Sequence, residues 1–177
     1  GQYWANYAAF LDNMAGHTDI VTSSRIGFRY LFLFHGEIFR SDPAYLISLK
    51  EAELAELAPI VWSLAIFCVA GCAWVVRPLR DEEAALLMGM TAFYFLFGTV
   101  GYYYGVYALL VLLWARHLDN PVAYALFCAQ WLLMLVVHFA WLITGYGLFV
   151  YNTVLSATIG LYLVATIIYF AWVGIAE

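Results

Sequence analysis

Residues 84–115 read AALLMGMTAFYFLFGTVGYYYGVYALLVLLWA, a run of 32 residues without a charged side chain. As a single α-helix this run would be about 48 Å long, whereas the hydrocarbon core of a bilayer is about 30 Å thick. Its middle, Gly98–Gly105, holds three glycines around Tyr102, Tyr103 and Tyr104. Glycine permits a turn, and tyrosine favours the headgroup level of a membrane. The run therefore predicts a hairpin of two short helices, with an interfacial tyrosine cluster at its turn.

Arginines on both sides of this run support the hairpin. Basic residues collect on the cytoplasmic side of a membrane. A hairpin places Arg77, Arg80 and Arg116 on one side, whereas a single crossing would put Arg116 opposite the other two. The spacing Gly101-x3-Gly105 is the competing signal, because two small residues at this distance are typical of close contact between helices.

The composition of the whole chain agrees with a membrane protein. Of its 177 residues, 66% are hydrophobic and 11% are charged, and the mean hydropathy is +0.86. A soluble domain averages about 45–50% apolar and about 25% charged residues. This composition excludes a soluble globular fold and a disordered chain. The seven basic residues form no run that would bind nucleic acid. We expect an all-α integral membrane protein.

About five transmembrane helices are predicted, preceded by an amphipathic, interfacial N-terminal segment. Residues 1–58 hold four Lys/Arg and seven Asp/Glu, and Ser41-Asp42-Pro43 is a helix-start signal before an acidic helix over 44–58. We therefore expect an external segment over 1–58 and a transmembrane bundle over 59–177. In a bacterial inner membrane the external segment would be periplasmic and the C-terminus cytoplasmic. The predicted spans are 59–76, the two arms of the hairpin, 122–143 after an Asp119-Asn120-Pro121 cap, and 148–173 after a turn at 144–147.

Two polar residues, Gln130 and His138, fall within one predicted span. An ionisable residue inside a membrane is by default a functional hypothesis. A haem ligand would require a second axial residue at similar depth, and His138 is the only histidine deep in a predicted span. Hydrogen bonding between helices is therefore favoured over haem binding, and neither a cofactor nor a metal site is predicted.

Three residues before the first span, Asn13, His17 and Arg25, form the candidate ligand site. Asn13 and His17 share one face of a predicted helix, and Arg25 follows in a polar loop. Asn and His side chains can bond a phosphate or a sugar hydroxyl, and Arg can bind phosphate with two parallel bonds. Among aromatic residues at a membrane edge, this set would suit a lipid-linked phosphosugar. The alternative is a solvated amphipathic segment that docks on the bundle. The apolar run from Ile26 to Phe34, too short to span, is expected to pack at the interface.

A longer pattern combines these features: Trp4…Phe10-x2-Asn13-x3-His17…Thr22-x2-Arg25-x-Gly27, then an acidic helix, a span ending at Arg77 and an apolar helix running into Tyr102-Tyr103-Tyr104. This pattern resembles the C-terminal half of large bacterial multi-span proteins related to the GT-C class of polyprenyl-phosphate-sugar-dependent glycosyltransferases. The resemblance implies an all-helical protein with an aqueous-side loop folded over a membrane cavity. The general base of that class is an acidic residue in the first external loop, after the first transmembrane helix. No residue here matches that position, so no catalytic residue is carried over.

The sequence fits two functions that belong to different classes. The first is the membrane-embedded part of a lipid-linked-sugar glycosyltransferase-like protein, with membrane lipid and a polyprenyl-phosphate sugar as ligands and the chemistry in a missing N-terminal half. The second is a non-catalytic accessory subunit that assembles with other membrane chains, which an aromatic content of 19% would suit. A transporter would fit the break at Gly98–Gly105, but the predicted spans offer no charged residue to line a path. Because the sequence opens at Gly1 without an initiator Met, we expect a longer protein.

Overall fold

A computed structural model describes residues 25–33, 44–144 and 148–176, together with Ala5 and Ala9. The described chain is helical apart from one pair of two-residue strands. The α-helices are α1 (Ala44–Val75), α2 (Asp81–Leu96), α3 (Val111–Trp114), α4 (Pro121–Thr144) and α5 (Leu148–Ala176). Two 3₁₀ helices, Phe28–Leu33 and Gly101–Leu110, and two strands, β1 (Arg25–Ile26) and β2 (Thr99–Val100), complete the described elements.

Two of these helices contain segments long and apolar enough to cross a membrane. They are Lys50–Val75 in α1 and Tyr151–Val173 in α5. Half of the most apolar stretch of α5 is buried inside the protein, against 17% of that of α1. Helix α5 is therefore central in the fold, whereas α1 lies at its edge and exposes large apolar side chains such as Phe67 and Trp74.

Helix α1 runs without interruption through Pro59. The acidic helix expected over 44–58 and the span expected over 59–76 are therefore parts of one continuous helix. Proline inside a helix removes one backbone hydrogen bond and costs roughly 3 kcal/mol. Contacts of α1 with α2 and with the 3₁₀ helix Phe28–Leu33 favour the continuous helix against this cost. The predicted boundary after residue 58 falls inside α1.

The uncharged segment 84–115 reverses direction and returns to its starting level. Helix α2 ends at Leu96, and the chain turns through residues 97–100 before it runs back as the second 3₁₀ helix and α3. Just beyond α3, Nε2 of His117 lies 3.4 Å from Oε1 of Glu83, which belongs to the first turn of α2. Both ends of the hairpin therefore meet at one end of the bundle.

The two arms of the hairpin are built differently but have matching lengths. The 16 residues of α2 cover about 24 Å. The returning arm has ten 3₁₀ residues and four α-helical ones, which together cover about 26 Å because a 3₁₀ helix rises about 2.0 Å per residue. Gly105 on this arm is exposed, and a Cβ there would meet no atom of the described chain within 4 Å. The x3 spacing of Gly101 and Gly105 therefore does not bring Gly105 against another described helix.

Local signals define the start of α4. The side-chain oxygen Oδ1 of Asn120 accepts hydrogen bonds from the backbone N–H groups of Val122, at 2.9 Å, and Ala123, at 3.4 Å. Pro121 occupies the first helical position, where its missing N–H costs nothing. The predicted cap and the predicted helix over 122–143 are thus confirmed. Of the turn predicted at 144–147, only Thr144, the last residue of α4, lies within the described residues.

Residues 25–33 are an integral part of the bundle at its hairpin-turn end. Strand β1 pairs antiparallel with β2, so that Arg25 lies opposite Val100 and Ile26 opposite Thr99. The 3₁₀ helix that follows packs against both α1 and α5. Ile26 and Tyr30 are each 1% exposed. The segment therefore packs on the helices of the bundle, and its place at a membrane interface stays a prediction.

Candidate functional site

A small, partly open cavity lies where residues 25–33, the first half of α1 and the end of α2 meet. Its volume is about 30 Å³, and one charged side chain, that of Arg29, contributes to its wall. The remaining wall is apolar and consists of Leu54, Ala58, Val61, Trp62, Phe95 and Leu96. Arg29 is thus the one charged residue among those that line the cavity.

The cavity lies where α1 changes from acidic to apolar. Before Pro59 this helix carries Glu51, Glu53 and Glu56, whereas no charged residue follows until Arg77. The lining residues of α1 come from both sides of this change. The guanidinium of Arg29 is therefore at the level where polar surface gives way to apolar surface. Such a level is where the headgroups of a bilayer meet its hydrocarbon core.

The Arg29 side chain is held by the residue that follows it. Its Nη2 donates a hydrogen bond to the hydroxyl of Tyr30 at 3.4 Å, and its guanidinium carbon lies 5.3 Å from the centre of the Tyr30 ring. The Tyr30 ring in turn packs on Gly98 in the hairpin turn, where a Cβ would lie 2.6 Å from Cε2 of Tyr30. The hairpin turn thus touches the side chain that supports the guanidinium.

Hydrogen bonds fix the backbone just before Arg29. Gly27 has a φ of 137°, a conformation that favours glycine, and its N–H donates to Oγ of Ser156 at 3.0 Å. The Ser156 hydroxyl donates to the carbonyl of Asn152 at 2.7 Å. The hydroxyl of Tyr94 donates to the carbonyl of Ser156, also at 2.7 Å. These bonds join the N-terminal segment to α5, and α5 to α2, beside the cavity.

A second buried polar network links α3, α4 and α5 at a distance from this cavity. The indole N–H of Trp114 donates to the hydroxyl of Tyr162 at 2.7 Å, and this hydroxyl donates to Oε1 of Gln130 at 3.1 Å. Nε2 of Gln130 donates to the carbonyl of Tyr107 at 2.9 Å. Gln130 is 2% exposed. Because each of these side chains is engaged with another helix, we interpret the network as structural.

The opposite end of the bundle holds the pair formed by His117 and Glu83. The imidazole lies edge-on to Phe170, with ring centres 5.3 Å apart, and next to Tyr169 at 6.4 Å. The contact joins the two ends of the hairpin to α5. Within 25–33, 44–144 and 148–176, no group of three or more His, Cys, Asp or Glu side chains could hold a metal ion.

The structure describes part of the site predicted from sequence. Arg25 lies in β1, with its backbone paired to Val100, but its side chain is outside the described part. Asn13 and His17 lie outside the described residues altogether. His138 belongs to α4, and its side chain is not described. The same holds for the side chains of Tyr102, Tyr103 and Tyr104, at the start of the second 3₁₀ helix.

Arg29, which lines the cavity, is a candidate that the sequence pattern did not single out. It lies in an apolar run, and we interpreted that run as packing surface, whereas the neighbouring polar loop drew attention to Arg25. The available signal was an arginine inside an apolar stretch too short to span a membrane. Such a residue needs a polar environment on one side.

Comparison of the chain with protein-family models, with curated proteins and with solved structures gives no match in any of the three. The resemblance to the GT-C class thus rests on the sequence motifs quoted above.

Proposed function

We propose that the chain is an integral membrane protein that binds the phosphate of a lipid-linked ligand at Arg29. The observation that carries this proposal is the guanidinium of Arg29 in an otherwise apolar cavity, at the level where α1 turns from acidic to apolar. Arginine binds phosphate through charge-assisted hydrogen bonds. The apolar wall suits the hydrocarbon chain attached to such a phosphate.

Membrane insertion is supported by the lengths and the order of the helices. Besides the 26-residue and 23-residue apolar segments of α1 and α5, the 24 residues of α4 cover about 36 Å. With the two arms of the hairpin, the chain would cross the membrane five times. This path puts the ends of the hairpin on the same side as Arg77 and Arg80, and the cavity on the other.

The positive-inside rule then gives the orientation. Arg77, Arg80 and Arg116 would face the cytoplasm of a bacterial inner membrane, as would the C-terminal end of α5. The cavity and residues 25–33 would face the periplasm. Asn13, His17 and Arg25 precede Arg29 in the sequence. We assign to them further contacts with the headgroup of the lipid. This arrangement would bring the predicted ligand residues and Arg29 to the same membrane surface.

The resemblance to the GT-C class favours a polyprenyl-phosphate sugar as the ligand. In this proposal the chain is the membrane-embedded part of a glycosyltransferase-like protein, and it holds the lipid phosphate. The catalytic base lies in another part of that protein, so no residue of this chain takes a chemical step. The role of Arg29 is binding: it neutralises the phosphate and fixes its position.

A second candidate is an accessory subunit of a larger membrane complex. The observation that favours it is the apolar face of α4, where a continuous set of large side chains is exposed: Trp131, Leu132, Leu135, Val136, Phe139, Leu142 and Ile143. Such a face can contact lipid or another membrane chain. This candidate predicts stable association with a partner and no dependence on Arg29.

Binding of polyprenyl phosphate to the protein in nanodiscs tests the proposal. We expect Arg29→Ala to weaken binding by about 1.5–3 kcal/mol, which is roughly 10- to 100-fold. Arg29→Lys should recover part of the loss, because lysine keeps the charge but loses the planar fork. Arg77→Ala is the matched control, because its guanidinium lies over the ring of Trp74, at 4.3 Å, at the far end of α1. If Arg29→Ala and Arg77→Ala bind the lipid equally well, phosphate binding at Arg29 is wrong.

A further inference from the structure

We infer that Gly98 and Tyr30 position the guanidinium of Arg29, so that the hairpin turn sets the affinity of the anion site. The inference rests on the proposed binding of phosphate at Arg29. Gly98 touches no ligand in this arrangement, and it acts through the two side chains that it contacts. It is therefore a positioning residue, and its effect on binding must disappear when Arg29 is absent.

The space around Gly98 is filled by the side chains of Tyr30 and Arg29. A Cβ at this position would lie 2.6 Å from Cε2 and 2.8 Å from the hydroxyl of Tyr30, and 3.1 Å from Nη2 of Arg29. Real Cβ atoms essentially never approach other atoms closer than 3.0 Å. Any side chain at position 98 would therefore displace the Tyr30 ring, and with it the Arg29 guanidinium.

Hydrogen bonds hold the backbone on which the Tyr30 ring is carried. The N–H of Tyr30 donates to the carbonyl of Gly27 at 3.2 Å, and the N–H of Gly27 donates to Ser156 of α5. The ring itself is almost fully buried. If the ring moved into solvent it would lose this burial. A displaced ring therefore stays inside the protein and pushes on the Arg29 side chain that lies over it.

Arg29 is the side chain that receives this displacement. Its guanidinium carbon lies over the Tyr30 ring, 5.3 Å from the ring centre, and its Nη2 donates a hydrogen bond to the Tyr30 hydroxyl. A guanidinium held in place before binding loses less conformational freedom when the ligand arrives. If the ring moves, the guanidinium loses this support. Ordering one long side chain would then weaken ligand binding by roughly 2- to 10-fold.

A double-mutant cycle measures this coupling directly. Binding of polyprenyl phosphate in nanodiscs is measured for Gly98→Ala and Tyr30→Phe, each in the native background and in the Arg29→Ala background. Gly105→Ala is the matched control, because it makes the same change in the same hairpin but its new Cβ would meet no atom of the described chain within 4 Å. Thermal unfolding of each variant is recorded beside the affinity.

We expect Gly98→Ala to weaken binding roughly 2- to 10-fold when Arg29 is present and to have no effect when it is absent. Tyr30→Phe, which removes only the hydroxyl, should act in the same direction by a smaller factor and reports on the coupling even if Gly98→Ala does not fold. Gly105→Ala should leave the affinity unchanged in both backgrounds, because its new Cβ meets neither Tyr30 nor Arg29.

Two results would overturn the inference in distinguishable ways. If Gly98→Ala or Tyr30→Phe weakens binding by the same factor in both backgrounds, or has no effect in either, the positioning role is wrong while phosphate binding at Arg29 stands. If Arg29→Ala alone leaves binding unchanged, the proposed function fails, and the inference fails with it.

Discussion

The hydroxyl of Tyr162 is the point at which α3, α4 and α5 are joined, and Tyr162→Phe removes it alone. In the native protein this hydroxyl accepts a hydrogen bond from Trp114 at 2.7 Å and donates one to Gln130 at 3.1 Å. The carbonyl of Leu126 lies 3.2 Å away as a further acceptor. The substitution keeps the ring, so the change in the free energy of unfolding reports on the polar contacts.

The expected magnitude follows from what each partner loses. Trp114 is completely buried, so its indole N–H would be left without the acceptor at 2.7 Å, which costs about 1–3 kcal/mol. Gln130 loses one contact but keeps its bonds to the carbonyls of Tyr107 and Ala108. A single hydrogen bond between membrane helices contributes about 0.6 kcal/mol on average. We expect a total loss of about 2 kcal/mol.

Reversible unfolding in mixed micelles, driven by increasing detergent denaturant, measures this loss. Thr158→Val is the control, because the Thr158 hydroxyl bonds only back to the carbonyl of Val154 on the same helix, and its loss should cost less than about 0.5 kcal/mol. Tyr162→Phe should also cost less in a Trp114→Phe background, because the two residues share one bond. Equal costs for Tyr162→Phe and Thr158→Val, or simple additivity with Trp114→Phe, would refute the structural role of the network.

Further predictions address the topology, the N-terminal segment and haem. Topology reporters fused after Arg80 and after Arg116 should both give cytoplasmic readings, and opposite readings would mean that the uncharged segment crosses the membrane once. Ser156→Ala removes the acceptor of the Gly27 N–H and should lower the free energy of unfolding by about 1–3 kcal/mol. It should also speed proteolysis within residues 25–33, and an unchanged cleavage rate would contradict the anchoring role of Ser156. His138→Gln should assemble normally at a cost of about 1 kcal/mol, and the purified native protein should give no Soret band; a haem spectrum lost in the variant would overturn this expectation.

Sequence reasoning succeeded where the deciding forces are local or depend on total length. The cap at Asn120 was predictable because a side-chain oxygen next to Pro121 satisfies the first free N–H groups of the helix that follows. The reversal within 84–115 was predictable because one uncharged helix of that length exceeds the thickness of a bilayer. Neither argument required knowledge of distant contacts.

The remaining features depend on contacts between distant parts of the chain. Helix α1 continues through Pro59 while elements distant in sequence pack against it, and the residues around the proline give no sign of those contacts. Arg25 and Val100 are paired in strands of only two residues. Such strands are too short to show the alternation of apolar and polar residues by which a strand is predicted. Arg29 became a site candidate because α1 and α2 place apolar residues around it. The sequence pattern favoured Arg25, whose side chain lies outside the described part, over Arg29.

The pairing of β1 with β2 has a consequence for biosynthesis. The hairpin turn interrupts the helical bonding of its own backbone, and peptide groups without partners are costly at the edge of a bilayer. Thr99 and Val100 obtain their partners from Arg25 and Ile26, which leave the ribosome earlier. In the proposed orientation the first strand must already have been translocated when the turn arrives on the far side. The last step of hairpin insertion would then be the pairing of β2 with β1, which has already crossed the membrane. A delay in the translocation of β1 would delay this pairing.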